Sequence, residues 1–103
     1  MRAKVWLSEA AAVDIVEQAD WYQHRSGEEL AMRWESEVVS ALIRIEKNPR
    51  SGAKGSFRAK ELQDIRRMPI EGFPKHLIFY RAEEAAIIIL RVVHGARDLD
   101  TLF

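Results

Sequence analysis

No cysteine occurs in the chain, which excludes disulfides, thiolate metal sites and cysteine nucleophiles. A reducing compartment fits that absence. Long apolar runs are also missing. The longest, "AAIIIL" at residues 85–90, is far short of the roughly 20 residues needed to span a bilayer. The opening "MRAKVWLSEAAAVDIVEQAD" lacks an extended apolar core and carries acids early, unlike a signal peptide. A cytoplasmic location with no membrane partner is the expectation. Net charge is absent too, at +0. What remains is a globular balance, 48% hydrophobic and 31% charged. A length of 103 residues then argues for a single domain, 1–103, around one core.

The zero net charge hides an uneven distribution. Residues 1–48 hold 6 Lys and Arg against 9 Asp and Glu. Residues 49–103 hold 10 against 7, and within them residues 50–81 hold 8 against 3. Such segregation suggests a basic face for an acidic partner, nucleic acid or acidic protein. A solvated surface is the plainer alternative.

Periodicity sorts the chain into elements. "RAKVWL" alternates, with Ala3, Val5 and Leu7 on one side, as a half-buried strand does. Ser8 then reads as an N-cap, with Glu9 near the positive end of a helix dipole. Ala12, Ile15, Ala19 and Tyr22 recur at spacings of three and four, one helical face. "SGEE" at 26–29 has the form of a capping box, Ser26 with Glu29, and restarts the chain as a second helix. The apolar stripe of that helix is Leu30, Trp34, Val38, Ala41, Leu42 and Ile45, and Asn48-Pro49 stops it.

Residues 50–64 show no clean period and read as a loop, with a helical turn near "AKELQ". Three strands follow. "DIRRMPI" contains Pro69, which lacks an N–H and belongs at an edge. "KHLIFYR" is stronger. "AAIIILRVV" is apolar on both faces and reads as the central strand. The expected fold is α+β, β-α-α-β-β-β, with a helical hairpin on one face of a small, mainly antiparallel sheet. Strict alternation groups Ile87, Ile89, Arg91 and Val93 on one face. The sheet face away from the helices is then too apolar to stay bare, so a partner chain or the C-terminal tail is expected on it.

Chemistry-bearing residues are few. His24 falls between the helices, as a surface or capping residue. His76 and His94 lie on or beside the sheet, where either suits general acid–base work. No HxH, HxxxH or carboxylate cluster accompanies them, so neither a metal nor another cofactor is expected. "SGAKGS" lacks the strand–loop–helix setting of a phosphate loop. Arg66 and Arg67 point to opposite faces of their strand. Arg91, inside an apolar strand, needs a carboxylate such as Asp98, or else aims at a phosphate or acidic partner. Gly95 permits a sharp turn that presents Arg97 at the rim, and Asp98 can cap or pair. Leu99, Leu102 and Phe103 can fold back onto apolar surface.

The element order, "IRRMPI" followed by "FPKHLIFYR", and the closing "IILRVVHGARDLDTLF" resemble the ParE/RelE superfamily of bacterial type II toxins over essentially the whole chain. "HLIFYR…ILRVVHGARDL" is similar to the ParE branch in particular. The resemblance implies a cognate, ParD-like antitoxin that wraps the toxin. On the ParE side it implies poisoning of DNA gyrase, causing growth arrest without a catalytic residue in the toxin. On the RelE side it implies mRNA cleavage in the ribosomal A site. Matched to the RelE pattern, Arg97 corresponds to the Arg after the last strand, and His76 stands where Arg is typical. Phe103 replaces a Tyr and has no proton to give. Arg66 and Met68 replace paired Lys, and Arg cannot be a general base at neutral pH. A nuclease would therefore rest on His76, Arg66 and Arg97. The favoured expectation is a gyrase-binding toxin whose contacts to target or antitoxin come from Arg66, Arg67, His76, Tyr80, Arg91, Arg97 and Phe103. An inactive antitoxin-binding module is a further alternative.

Overall fold

The structure, a computed structural model, describes residues 3–54 and 57–95. Strand β1 (Lys4–Leu7) leads into helices α1 (Glu9–Ser26) and α2 (Glu28–Lys47). Strands β2 (Ala53–Lys54), β3 (Arg66–Ile70), β4 (Phe73–Ala82) and β5 (Ala86–His94) follow, with a single 3-10 turn at Lys60–Leu62 between β2 and β3. The five strands form one sheet in the order β1-β5-β4-β3-β2. Only β1 runs parallel to its neighbour, β5; the other pairings are antiparallel. The expected α+β architecture is therefore present, with the two-residue β2 added at the far edge. β5 is interior, as its two apolar faces require, but the middle position belongs to β4.

Local chemistry explains the helix boundaries. The Ser8 hydroxyl accepts from the Ala11 N–H at 3.0 Å and donates to the Leu90 carbonyl at 2.8 Å. One side chain thus caps α1 and ties its start to β5. The joint between the helices differs from the capping box expected at Ser26. Ser26 is the last residue of α1, and α2 begins with no side-chain cap. Gly27 makes the break with φ 96°, a left-handed conformation that costs glycine little and other residues more. Glu28 and Glu29 then serve α2 only through its dipole.

The buried row of α2 is Ala31, Trp34, Val38, Ala41 and Ile45, with Leu30 and Leu42 half-buried beside it. On α1 it begins one residue earlier than expected, at Ala11. The Trp34 indole donates to the Ile15 carbonyl at 3.1 Å, joining the two helices. These residues pack on Ile70, Phe73, Ile78, Tyr80, Ile87, Ile89 and Val92 of the sheet.

Strict alternation on β5 fails at a bulge. Phe79 opposes Arg91 and Tyr80 opposes Ile89, so Leu90 is an extra residue. Ile87 and Ile89 face the helices, and beyond the bulge Val92 does, while Val93 joins the opposite face. That opposite face is partly covered by the chain itself. Phe57 and Leu62, from the segment read as a loop, and Ile65, from the start of the expected edge strand, pack on Leu77, Phe79, Leu90 and Val93. Irregular backbone carries no period, which is why the sequence pattern did not reveal this second core. Pro69 lies past the end of β2, which pairs only with Arg66 and Arg67, so it occupies an edge after all.

Candidate functional site

β1 pairs with β5 only as far as Leu7 and Ile89, and among the described residues no strand continues along that edge of β5. Asp14 of α1 meets that edge. Its carboxylate accepts from Arg91 Nε and Nη2, both at 2.8 Å, and from the Val92 N–H at 2.9 Å. Arg91 therefore has the carboxylate that its apolar strand requires, and among the described residues that partner is Asp14; the expected Asp98 lies outside them. These hydrogen bonds raise the Arg91 pKa above its ordinary value, so it is charged at every relevant pH. A signal for Asp14 existed in the sequence: it flanks the buried face of α1, three residues after Ala11.

Beside this pair lies a cleft of about 480 Å³, lined by Asp14, Glu17, Trp21, Tyr22, His76 and His94 among others. His76 and His94 are register partners on β4 and β5, with ring centroids 5.5 Å apart. His76 points to the helix layer, its ring 4.9 Å from Trp34 and 6.4 Å from Tyr22. Burial lowers the His76 pKa, and the nearby charge of His94 lowers it further. Burial also raises the Tyr22 pKa, against an opposing hydrogen bond with Gln18. The Arg25 guanidinium sits 4.9 Å from the centre of the Trp21 ring. Aromatic walls and a carboxylate rim suit this cleft to holding a partner's side chain. Among the described residues no group of three or more metal-ligating side chains exists.

The remaining sequence-predicted residues lie elsewhere. Tyr80, expected on a contact surface, is fully buried at 0% exposure. Its hydroxyl donates to the Pro49 carbonyl at 2.8 Å and accepts from the Gly52 N–H at 2.9 Å. Arg66, its register partner, donates from Nη1 to the carbonyls of Gly52 at 2.8 Å and Arg50 at 3.2 Å. Arg67, half-buried, lies opposite Phe79, on the other face of the sheet from Tyr80. Arg97, Asp98 and Phe103 lie outside the described residues. The structure therefore joins Arg66 to Tyr80 and His76 to His94, but it does not bring these two pairs together. His76 and the register partner of Arg66 are four residues apart on β4, about 13 Å along a strand.

A family model for the ParE toxin of the type II toxin-antitoxin system, parDE, matches residues 5–99. The chain belongs to the ParE toxin family. This ParE-family fold is also seen in a solved structure described as a chromosomal ParDE TA system from P. aeruginosa. That match has a TM-score of 0.74 at 19% identity, covering 90% of this chain and 96% of the other. No curated protein matches the sequence significantly. Among the described residues, no helix of this ParE-family chain is long and apolar enough to cross a membrane.

Proposed function

We propose that this chain is the toxin of a ParDE-type pair, that it inhibits DNA gyrase by docking, and that a ParD-like antitoxin neutralises it. The family match over residues 5–99 carries the reading. The geometry supports docking over cleavage. His76, the candidate base, sits under the helices, four residues along β4 from the register partner of Arg66.

An antitoxin has a fitting surface to cover. Met32, Val39 and Ile43 form one outward row on α2, exposed at 62%, 54% and 45%. Val13 and Val16 on α1, and Trp6 and Leu7 on β1, add exposed apolar area. An amphipathic segment laid along these residues would bury what a lone chain leaves in water.

The test is expression from a tight promoter alongside an assay with purified gyrase and plasmid. Docking on gyrase gives filamentous cells, linear plasmid after protein denaturation, and continuing translation. His76→Ala should retain that toxicity. Val39→Asp with Ile43→Asp should remain toxic yet escape the antitoxin. Immediate translation arrest with mRNA cut inside codons would overturn the reading in favour of a ribosome-dependent nuclease, and growth without effect would favour an inactive module.

A further inference from the structure

We infer that the corner formed by β2, the 3-10 turn and the start of β3 binds the phosphate backbone of duplex DNA. Residues 50–67 hold six cations (Arg50, Lys54, Arg58, Lys60, Arg66 and Arg67) against two acids, Glu61 and Asp64. Asp64 faces another cation, its Oδ2 2.9 Å from Arg81 Nε though not in hydrogen-bond alignment with it, and Arg81 Nη2 donates to the Glu61 carbonyl. Arg50, Lys54, Lys60 and Arg67 form no ion pair among the described residues. Arg66 is anchored by carbonyls and not by a carboxylate, so its full positive charge remains in the local field.

The corner is also preorganised. The buried Tyr80 hydroxyl pins Pro49 and Gly52 from below, and Arg66 ties Arg50 and Gly52 from the side. Lys54 is held opposite Arg66 by strand pairing. From Arg50 to Lys54 the chain spans about 13 Å at most, the axial rise of about four nucleotides.

Absence of apolar exposure favours nucleic acid over an acidic protein. Protein interfaces carry a hydrophobic centre. All the exposed large apolar side chains among the described residues lie on β1, α1 and α2, none within residues 50–67. The choice of duplex DNA rests on the gyrase reading, because duplex DNA is the substrate of that proposed target. Duplex binding itself needs no gyrase, so the two can fail separately.

The experiment measures binding of purified toxin to a short duplex as salt is raised. Neutralising about three phosphates gives a log–log slope near −3, or about a 40-fold affinity loss from 50 to 200 mM salt. Lys54→Glu with Lys60→Glu should lower affinity more than about tenfold and flatten the slope by about two. Arg50→Gln, a milder change at an exposed residue, should flatten it by about one. Lys4→Glu, at the opposite edge of the sheet, should leave binding within about twofold. Circular dichroism confirms that each variant is folded. No duplex binding at low salt, equal weakening by Lys4→Glu, or preference for single-stranded RNA would each overturn the assignment. Binding to gyrase subunits is measured without DNA. Loss there with duplex binding intact refutes the docking reading and leaves the corner standing.

Discussion

Removing Asp14 should destabilise the fold far more than a surface charge would. Its side chain is 11% exposed and that of its partner Arg91 is 22% exposed. Asp14→Ala withdraws three acceptor contacts at once, two from the guanidinium and one from the Val92 N–H. Breaking a fully buried pair costs about 3–5 kcal/mol. Arg91 retains some access to water and can partly resolvate, which brings the cost to about 2–3 kcal/mol. Alanine returns up to roughly 0.6 kcal/mol of helix propensity in α1. A net loss of about 2 kcal/mol follows, equivalent to about 8–16 °C in Tm for a domain of this size. Urea denaturation should show a lower midpoint with an unchanged slope. Asp14→Ala combined with Arg91→Ala should cost clearly less than the sum of the two, with a coupling of at least about 1 kcal/mol. Additive single effects, or a loss below about 0.5 kcal/mol, would refute the idea that this pair secures the edge of β5.

Three further expectations concern Tyr80, Gly52 and His76. Tyr80→Phe keeps the ring but strands the Gly52 N–H and the Pro49 carbonyl, and should cost about 1–2 kcal/mol by urea titration. Gly52→Ala should cost more, because a Cβ there would stand 2.5 Å from the Tyr80 hydroxyl and 2.9 Å from the Arg67 carbonyl. His76 makes stability depend on pH. Burial lowers its pKa in the folded chain, so as pH falls the unfolded chain binds the proton first. Its contribution is complete above about pH 6.5 and is lost as pH drops from there toward the folded value. Tm should therefore fall between about pH 8 and 5.5, and His76→Gln should shrink that fall; an unchanged fall would count against a neutral, half-buried imidazole.

Much of this molecule is legible in the residues alone. Spacings of three and four placed both helices, Ser8 marked the first, and Asn48-Pro49 ended the second. Alternation and β-branched runs placed β1, β4 and β5, because side-chain period follows directly from backbone geometry. An Arg inside an apolar strand demanded a carboxylate, whatever its position. Pattern could not say which carboxylate, since Asp14 and Arg91 are 77 residues apart and meet only when α1 packs against β5. Nor could it foresee the bulge at Leu90, a single extra residue that reverses the facing of everything after it. Tyr80 looked like a surface aromatic until the helix layer and the residue 49–52 loop closed over it. Local chemistry is written at short range along the chain. Which face is covered, and which charges are left in water, depends on contacts between distant segments that exist only once the sheet is assembled.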